Sequence, residues 1–367
     1  MTGLYIHIPF CRNKCFYCSF IVAIHQDHYV DRYVRSLTGE TERYRGRGFD
    51  SVYFGGGTPS HLNARQFYFL ASSLLKSIHV ANNAEITVEM NPEDATDELL
   101  QCYCDCGVNR LSLGAQTFQD KYLRSLGRCH DSRQIYDAYT MMRKRGFQNI
   151  SLDLMYGFPG QSMVEIEADL KELGRLQSEH VSLYGLTIER GSRFFVQGVS
   201  GPSSGQMAEQ YCSVRDRLVS LGFEHYEVSN FAVSGKSSVH NMNYWQGGNY
   251  IGLGVGAHSH QDGRRWWNTG RVRHYIEKID SGESPGEGHE DLNVEQRLAE
   301  SVVFGLRMIK GVNLRELEER YQCGLSGEQQ AAVKQFVRDG YLALKGDRLK
   351  VRDKGLLVLD EISARLL

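Results

Sequence analysis

Three features are missing from this sequence, and each absence argues against a class of protein. The 367 residues carry a formal net charge of only −2, which argues against a nucleic-acid partner. No apolar stretch approaches the roughly 20 residues that cross a bilayer. The first ten residues, MTGLYIHIPF, lack the basic segment and long apolar run of a secretion signal. We therefore expect a soluble, cytoplasmic protein with no transmembrane segment.

The number of cysteines is odd. Nine cysteines in a chain without a secretion signal argue against a disulfide framework. Reduced thiols are then available as soft ligands for a metal. The cysteines stand at positions 11, 15, 18, 102, 104, 106, 129, 212 and 323.

What the sequence does contain is a rhythm of short apolar strands and amphipathic helices. This alternation predicts parallel βα units, with functional residues at the carboxyl ends of the strands. Six units fit either a doubly wound sheet or an incomplete barrel, and the rhythm does not choose between them. The helices at 97 and 163 have Thr96 and Ser162 as predicted N-caps. The predicted strands are Leu4–Pro9, Ser51–Gly55, Glu85–Met90, Arg110–Gly114, Ile150–Tyr156 and His180–Thr187.

The chain divides into three predicted parts. Residues 1–230 form the βα region, and residues 231–280, rich in Gly, Asn, Tyr, Trp and His, pack on it. Ser281–Gly288 (SGESPGEG) has the composition of a linker. Residues 289–367 combine three helices with a hairpin at Tyr341–Leu344 and Arg348–Val351, which predicts a small helical, winged-helix-like domain. The weak net charge favours packing over DNA binding as the role of this domain.

Three cysteines lie within eight residues directly after the first strand. Cys11, Cys15 and Cys18 have the spacing C-x3-C-x2-C. Three thiolates on one loop can hold a 4Fe–4S cluster and leave one iron open to a substrate or cofactor. The alternative is a zinc site completed by His25 or His28, although no second C-x2-C pair is present.

A second group, Cys102, Cys104 and Cys106, lies within a predicted helix. Cys102 and Cys106 would share one face of that helix. A second cluster is one interpretation, and buried or incidental thiols are the favoured one.

The segment YIHIPFCRNKCFYCSF, residues 5–20, resembles the cluster loop of the radical S-adenosylmethionine (SAM) superfamily. It is most similar to the branch that contains oxygen-independent coproporphyrinogen dehydrogenase and the heme chaperone HemW, and the resemblance covers nearly the whole chain. It implies an α/β fold with an incomplete (β/α)6 radical SAM barrel. It also implies that the open iron chelates SAM and that the reduced cluster cleaves it to a 5′-deoxyadenosyl radical.

The same resemblance implies which residues contact SAM. The segment Gly55–Ser60 matches a family element that holds the methionyl amino group, although any tight turn could use these glycines. Asp153 lies in an apolar run, so its charge requires a ligand hydroxyl, Arg128 or a backbone donor as partner. For Tyr5, ordinary packing within the strand is an equal alternative to contact with SAM. For Glu89, a capping or turn role is an equal alternative. One or two SAM molecules fit the pattern. The implied SAM residues are Tyr5, Tyr17, Gly56, Gly57, Thr58, Glu89, Gln116, Arg128 and Asp153.

Two features favour the HemW side of this branch. Phe20 stands where the coproporphyrinogen dehydrogenases have a fourth cysteine, and His240–Trp245 reproduces the HNxxYW element of HemW-like proteins. We also do not expect the N-terminal extension of the dehydrogenases, because Leu4 already opens the first strand. His240 is a candidate axial heme ligand and His258 a second one. The alternative is that His240 and Asn241 bond backbone groups and that the aromatic residues are simple packing.

The resemblance therefore predicts a heme-binding radical SAM protein that delivers heme to an unidentified acceptor protein. An electron donor such as flavodoxin or ferredoxin would reduce the cluster. The first alternative is a radical SAM enzyme of the same branch, either a methyltransferase or a porphyrin-modifying enzyme. The second is a zinc-stabilised binding module.

Overall fold

A computed structural model describes residues 1–367, and one sheet of twelve strands runs through most of them. The strands are β1 (Thr2–Ile8), β2 (Phe10–Cys11), β3 (Ala23–Ile24), β4 (Gly48–Gly56), β5 (His79–Met90), β6 (Arg110–Gln116), β7 (Ile150–Tyr156), β8 (His180–Gly185), β9 (Glu224–Glu227), β10 (Asn230–Ala232), β11 (Asn249–Leu253), β12 (His258–Gln261), β13 (Arg264–Asn268), β14 (Gly286–Asp291), β15 (Val312–Asn313), β16 (Leu342–Lys345) and β17 (Arg348–Val351).

Helices connect the strands. The helices are α1 (Val30–Thr41), α2 (Ala64–Ser77), α3 (Asp97–Asp105), α4 (Asp120–Leu126), α5 (Ser132–Lys144), α6 (Met163–Leu176), α7 (Arg193–Val196), α8 (Ser204–Ser220), α9 (Val239–Trp245), α10 (Val272–Asp280), α11 (Val294–Leu306), α12 (Leu314–Tyr321), α13 (Gly327–Arg338), α14 (Asp353–Leu356) and α15 (Leu359–Leu366). The predicted N-caps are confirmed, because the side chains of Thr96 and Ser162 accept hydrogen bonds from the backbone N–H groups of Leu99 and Glu165.

The centre of the sheet is parallel. Strands β1, β4, β5, β6, β7 and β8 lie side by side in chain order and pair in parallel. Each crossover passes through at least one helix, from α1 after β1 to α6 after β7. The sheet does not close on itself, since β14 and β9 are its two edges. The predicted α/β class and the six-unit incomplete barrel are confirmed.

The two faces of the parallel strands differ in chemistry. The outward residues of β1, Leu4, Ile6 and Ile8, are buried in one large apolar cluster with the helices. Alternate residues point inward, and on the following strands these are polar although buried. The interior is therefore lined by side chains that can bond a ligand or one another. The fully buried ones are Ser51, Glu85, Thr87, Arg110, Ser112, Ser151, His180 and Ser182, and Glu89 and Asp153 are partly buried.

The sheet continues on its other side beyond residue 230. Strand β11 pairs in parallel with β1, and β12, β13 and β14 follow in antiparallel order. The buried carboxylate of Glu40 on α1 ties this extension to the barrel. It accepts hydrogen bonds from Gly254 N at 2.8 Å, Asn268 Nδ2 at 2.7 Å and Tyr275 Oη at 2.5 Å.

The predicted linker was wrong in its last part. Gly286–Gly288 belongs to β14, where Gly288 pairs with Trp267. A Cβ atom at Gly288 would lie 2.4 Å from Trp267 Cζ2, so the ring requires glycine at this position. The glycine content suggested flexibility, but the lack of a side chain at Gly288 instead leaves room for the indole ring of Trp267 on the neighbouring strand.

The last part of the chain packs α11, α12 and α13 with a three-stranded sheet in the order β15-β17-β16. The hairpin of β16 and β17 lies where the sequence predicted it. The boundaries 1–230, 231–280 and 289–367 stay predictions. No helix of the structure is both long enough and apolar enough to cross a membrane.

The substitution Glu40→Ala should lower the free energy of unfolding by about 3 kcal/mol, because it leaves buried donors unpaired between α1 and the sheet extension. Chemical denaturation measures the change. Arg35→Ala on the same helix is the control, since Arg35 is exposed and should change stability by less than about 0.5 kcal/mol. Equal effects of the two substitutions would contradict this role of Glu40.

Candidate functional site

The cysteine loop lies at the carboxyl end of β1, above the polar interior. Cys11, Cys15 and Cys18 are free thiols and partly exposed. The loop is anchored by the hydrogen bond from Phe16 N to Leu126 O, at 2.9 Å. Burial raises the pKa of Cys11 to about 11 and also raises the pKa of Cys18. Without a metal these two thiols are therefore protonated at neutral pH, and metal binding would release their protons.

Arg128 connects the cysteine loop to two strand ends. Its Nη1 donates to Cys15 Sγ at 3.5 Å, and its Nη2 donates to Asn91 Oδ1 at 2.6 Å and to Gly114 O at 3.1 Å. Its Nε is buried without a hydrogen-bond partner. A guanidinium beside thiols fits an anionic iron–sulfur cluster, and the unused donor fits an anionic ligand next to it.

The zinc alternative receives no support. No three His, Cys, Asp or Glu side chains lie close enough together to hold one metal ion. A structural zinc site needs four such ligands around a single ion. A 4Fe–4S cluster is wider and takes one thiolate at each iron, so three separated thiols on one loop fit it better.

The glycines after β4 have a structural reason of their own. A Cβ atom on Gly57 would lie 2.5 Å from Pro9 O, and one on Gly56, whose φ is +115°, would lie 2.5 Å from the His7 ring. These glycines allow the two loops to pack closely. Beside them Thr58 Oγ1 lies 3.2 Å from Cys11 Sγ. The expected contact of Gly56, Gly57 and Thr58 with SAM stays a prediction.

Glu89 is a carboxylate inside the barrel, at the end of β5. It accepts hydrogen bonds from Tyr53 Oη at 2.8 Å and from Gly56 N at 3.1 Å. Burial raises its pKa to about 7. A cationic ligand brought to this carboxylate would stabilise its charged form, which suits the predicted contact with SAM, whose sulfonium group is positively charged.

The partners of Asp153 differ from those expected. Its carboxylate accepts hydrogen bonds from Ser112 Oγ at 3.0 Å and Ser151 Oγ at 3.2 Å. Burial raises its pKa, and bonds from Ser182 and Ser112 oppose that shift. Arg128 and the backbone, which we considered as partners, do not bond it. Serines on this and the neighbouring strand supply some of the hydrogen bonds that this carboxylate can accept. Sequence spacing alone does not reveal such pairs.

Gln116, Tyr5 and Tyr17 lie around the same end of the barrel. Gln116 has φ +67° at a bulge in the pairing of β6 with β7. Such a conformation in a non-glycine residue costs about 1 kcal/mol or more and is common at ligand sites. Tyr5 Oη bonds His7 Nδ1 at 3.0 Å. Tyr17 is buried against a small apolar cluster, and burial raises its pKa.

Sequence reasoning missed four residues of this site, namely His7, Tyr53, Asn91 and Arg110. His7 Nε2 bonds Ile21 O at 3.1 Å, which holds the far end of the cysteine loop, and burial lowers its pKa to about 4. Arg110 is 1% exposed, with its Nε 3.9 Å from Glu85 Oε2. The available signal was that His7, Tyr53 and Arg110 occupy inward positions of apolar strands.

His240 lies at the opposite end of the barrel from the cysteines. Its ring is 1% exposed, with Nδ1 2.9 Å from Ser51 Oγ and Nε2 2.9 Å from Tyr244 Oη. Burial lowers its pKa to about 3. Glu85 accepts hydrogen bonds from Val239 N and His240 N, both at 3.0 Å. Both ring nitrogens are engaged, so neither is open to a heme iron in this structure. The partners are the side-chain hydroxyls of Ser51 and Tyr244 and not the backbone groups that the alternative expected.

Two further expectations concern histidine and cysteine. His258 is exposed on β12 and stacks on Trp267 with ring centroids 5.6 Å apart. Cys102 and Cys106 lie in the apolar core, and Cys104 Sγ is 3.8 Å from Arg145 O. The favoured interpretation of them as buried thiols agrees with this packing.

Comparisons with known proteins identify the family and the fold. The family model described as Radical SAM superfamily matches residues 5–173, and the HemN C-terminal domain matches residues 292–358. The chain has the fold of a solved Escherichia coli structure, the radical SAM enzyme coproporphyrinogen III oxidase (HemN). The TM-score is 0.88 at 22% identity, over 100% of this chain and 89% of that one. Fold and site thus define a radical SAM protein.

Full-length relatives narrow the class. The heme chaperone HemW of Lactococcus lactis is 35% identical over 96% of this chain and 94% of its own length. That of Bacillus subtilis is 34% identical over 99% and 98%. A Danio rerio relative named radical S-adenosyl methionine domain-containing protein 1, mitochondrial, is 33% identical over 100% and 87%. The chain belongs to the HemW family of radical SAM proteins, and that membership implies a 4Fe–4S cluster and SAM.

The substitution Cys15→Ser should lower the iron content of anaerobically reconstituted protein well below about four irons per chain, because it removes one cluster ligand. Iron and sulfide analysis measures this loss. Cys129→Ser is the matched control, since Cys129 is exposed and follows Arg128 directly. Full iron content in Cys15→Ser, or equal loss in both variants, would contradict the three-cysteine assignment.

The affinity for SAM should fall as the pH drops through about 7, because Glu89 then becomes protonated and no longer offers a negative charge to the positively charged SAM molecule. The expected loss approaches tenfold per pH unit well below the pKa. Calorimetry between about pH 6 and about pH 8 measures it. Glu89→Gln should bind weakly at every pH, and a wild-type affinity in that variant would refute the contact.

Proposed function

We propose that this protein binds heme and passes it to an acceptor protein, and that it does so with a 4Fe–4S cluster and SAM bound at the cysteine end of the barrel. The observation that carries the proposal is similarity over nearly the whole length, at 31–35% identity, to several proteins named heme chaperone HemW. Both the barrel and the C-terminal part are covered by these relatives, so the proposal concerns the whole chain.

The residues around the cysteines support the cofactor part of the proposal. Cys11, Cys15 and Cys18 would hold the cluster, and Arg128 would offset its negative charge through Cys15. Glu89 would contact the positively charged SAM molecule through its carboxylate. Together the bound cluster and SAM supply a one-electron cleavage of SAM that yields methionine and a 5′-deoxyadenosyl radical.

The chain's own side chains would orient SAM and keep that site ordered. Asn91 Oδ1 accepts a hydrogen bond from Arg128, and Asn91 Nδ2 donates one to Thr58 Oγ1 at 3.3 Å. This chain of hydrogen bonds joins the ends of β4, β5 and β6. His7, neutral because burial lowers its pKa to about 4, bonds Tyr5 Oη and Ile21 O and so holds the loop against the strand.

Phe20 supports the chaperone over the dehydrogenase. It is 68% exposed beside the cluster loop, and a phenyl ring cannot ligate iron. Exposed aromatic surface at the mouth of a site suits contact with a partner or a flat ligand. The acceptor is an unidentified protein, and flavodoxin or ferredoxin would act as electron donor. The cytoplasmic location stays a prediction from composition.

A second candidate is a radical SAM enzyme of the same branch, either a methyltransferase or a porphyrin-modifying enzyme. The polar interior favours it, since Asp153, Arg110 and Ser112 place polar groups on the inward face of the strands, where Ser112 Oγ donates to Asp153. The products distinguish this candidate. An enzyme would release 5′-deoxyadenosine, and a methyltransferase also S-adenosylhomocysteine, in proportion to a modified substrate.

Titration of the reconstituted protein with hemin should give a saturable Soret shift with an end point near one heme per chain. Dithionite and SAM, added with and without heme, show whether 5′-deoxyadenosine forms. Hemin binding without stoichiometric substrate modification supports the chaperone. Absence of a saturable shift would refute heme binding, and turnover of a modified product would favour the enzyme.

A further inference from the structure

A cavity of about 480 Å³ lies away from the cysteine loop. It is enclosed by the sheet extension, by the end of α9 and by helices α11 and α12 of the C-terminal part. Tyr244 and Trp245, the last two residues of the HNxxYW element, line it. Its volume falls within the roughly 300–1,000 Å³ of small-molecule sites, and it lies where three parts of the chain meet, a common position for such sites.

One wall of this cavity carries an imidazole suited to a metal. His260 on β12 lines the cavity and is partly buried. Its Nδ1 lies 3.4 Å from Gly248 O, and no hydrogen-bond partner contacts its Nε2. Histidines that ligate iron or zinc commonly bond a carbonyl oxygen through one nitrogen and present the other to the metal. His240, in contrast, has both nitrogens engaged.

The cavity also carries two arginines without an acidic partner. Arg297 and Arg320 each place the guanidinium carbon 5.3 Å from the centroid of the Tyr321 ring, and neither forms an ion pair. A third arginine, Arg265, is already neutralised, because it pairs with Glu290 and Glu300. Arg320 donates to the carbonyl oxygens of Gln246 and Gly247 at 3.5 and 3.3 Å, and no carboxylate neutralises either guanidinium group. Two such groups near one aromatic ring are suited to a ligand with two carboxylates.

Apart from Glu300, which pairs with Arg265, the remaining lining is charged only at Asp262. Asn249 and Ser301 add polar uncharged side chains, and the rest of the lining is aromatic, apolar or glycine. Asp262 is exposed at the edge and accepts a hydrogen bond from Asn249 Nδ2 at 3.1 Å. Tyr250 and Phe304 offer flat apolar surface, and Trp245 Nε1 is buried without a hydrogen-bond partner. The cavity therefore combines flat aromatic walls with one unused hydrogen-bond donor. The flat walls suit a planar macrocycle better than a polar, sugar-bearing ligand.

We infer that this cavity is the heme site, with His260 Nε2 as axial ligand of the iron and with Arg297 and Arg320 binding the two propionates. The inference rests on the proposed function, since it assigns a place to the heme that the chaperone carries. Three features of the cavity match three features of heme. The imidazole of His260 matches the iron, the two arginines match the propionates, and the aromatic walls match the flat ring. It also gives the HNxxYW element a contact with heme through Tyr244 and Trp245 rather than through His240.

The test compares two ligands on three variants of the full, reconstituted chain. Hemin and metal-free protoporphyrin IX share the ring and the propionates, but only hemin has iron. His260→Ala should weaken hemin binding about tenfold or more and change the ferric heme EPR spectrum, while protoporphyrin binding stays unchanged. The double variant Arg297→Gln/Arg320→Gln should weaken both ligands about tenfold or more.

His258→Ala is the matched control. His258 lies two residues earlier on the same strand, is exposed, and does not line the cavity. This variant should bind both ligands as the wild type does. The oxidised 4Fe–4S cluster is silent in EPR, so the ferric heme signal can be observed directly.

The outcomes separate this inference from the function on which it rests. Wild-type protein that binds no hemin would refute the proposed function. Wild-type protein that binds hemin, with an unchanged spectrum in His260→Ala, would overturn the site and leave the function intact. A change confined to His258→Ala would also overturn it. Equal loss of both ligands in His260→Ala would contradict iron ligation.

Discussion

The buried carboxylate of Glu85 holds the floor of the barrel together. It lies inside the sheet, 3.9 Å from the Nε of the equally buried Arg110, and it accepts backbone hydrogen bonds from the first turn of α9. A negative charge at the amino end of a helix is favourable, and an unpaired charge in this position would be costly. Through this interaction the HNxxYW helix closes one end of the barrel and the cysteine loop remains at the other.

This arrangement separates two chemical tasks along the barrel axis. At the carboxyl ends of the strands, Arg128 and Asn91 link the cysteine loop to the strand ends. Glu89 lies there too, with its pKa raised to about 7 by burial. At the amino ends, His240 bonds Ser51 and Tyr244 and carries no free nitrogen. The HNxxYW element is thus part of the barrel floor on one side and of a cavity wall on the other.

The sequence predicted the parallel strands well, because each is a short apolar run bounded by turn residues. It also placed the cysteines and Glu89 at strand ends, where parallel order brings them together. It did not reveal the serine partners of Asp153, because cross-strand contacts depend on register. The linker prediction failed at Gly288, since composition does not distinguish a flexible glycine from one that lies under Trp267. His240 looked available as a ligand only because sequence carries no information about what surrounds it.

The central claim is that three cysteines hold a cluster whose fourth iron is open to SAM. EPR of the dithionite-reduced, reconstituted protein, recorded with and without SAM, tests it most directly. The account predicts that SAM changes the g-values of the reduced cluster, because its amino and carboxylate groups ligate the open iron. A reduced cluster whose spectrum is the same with and without saturating SAM would contradict it.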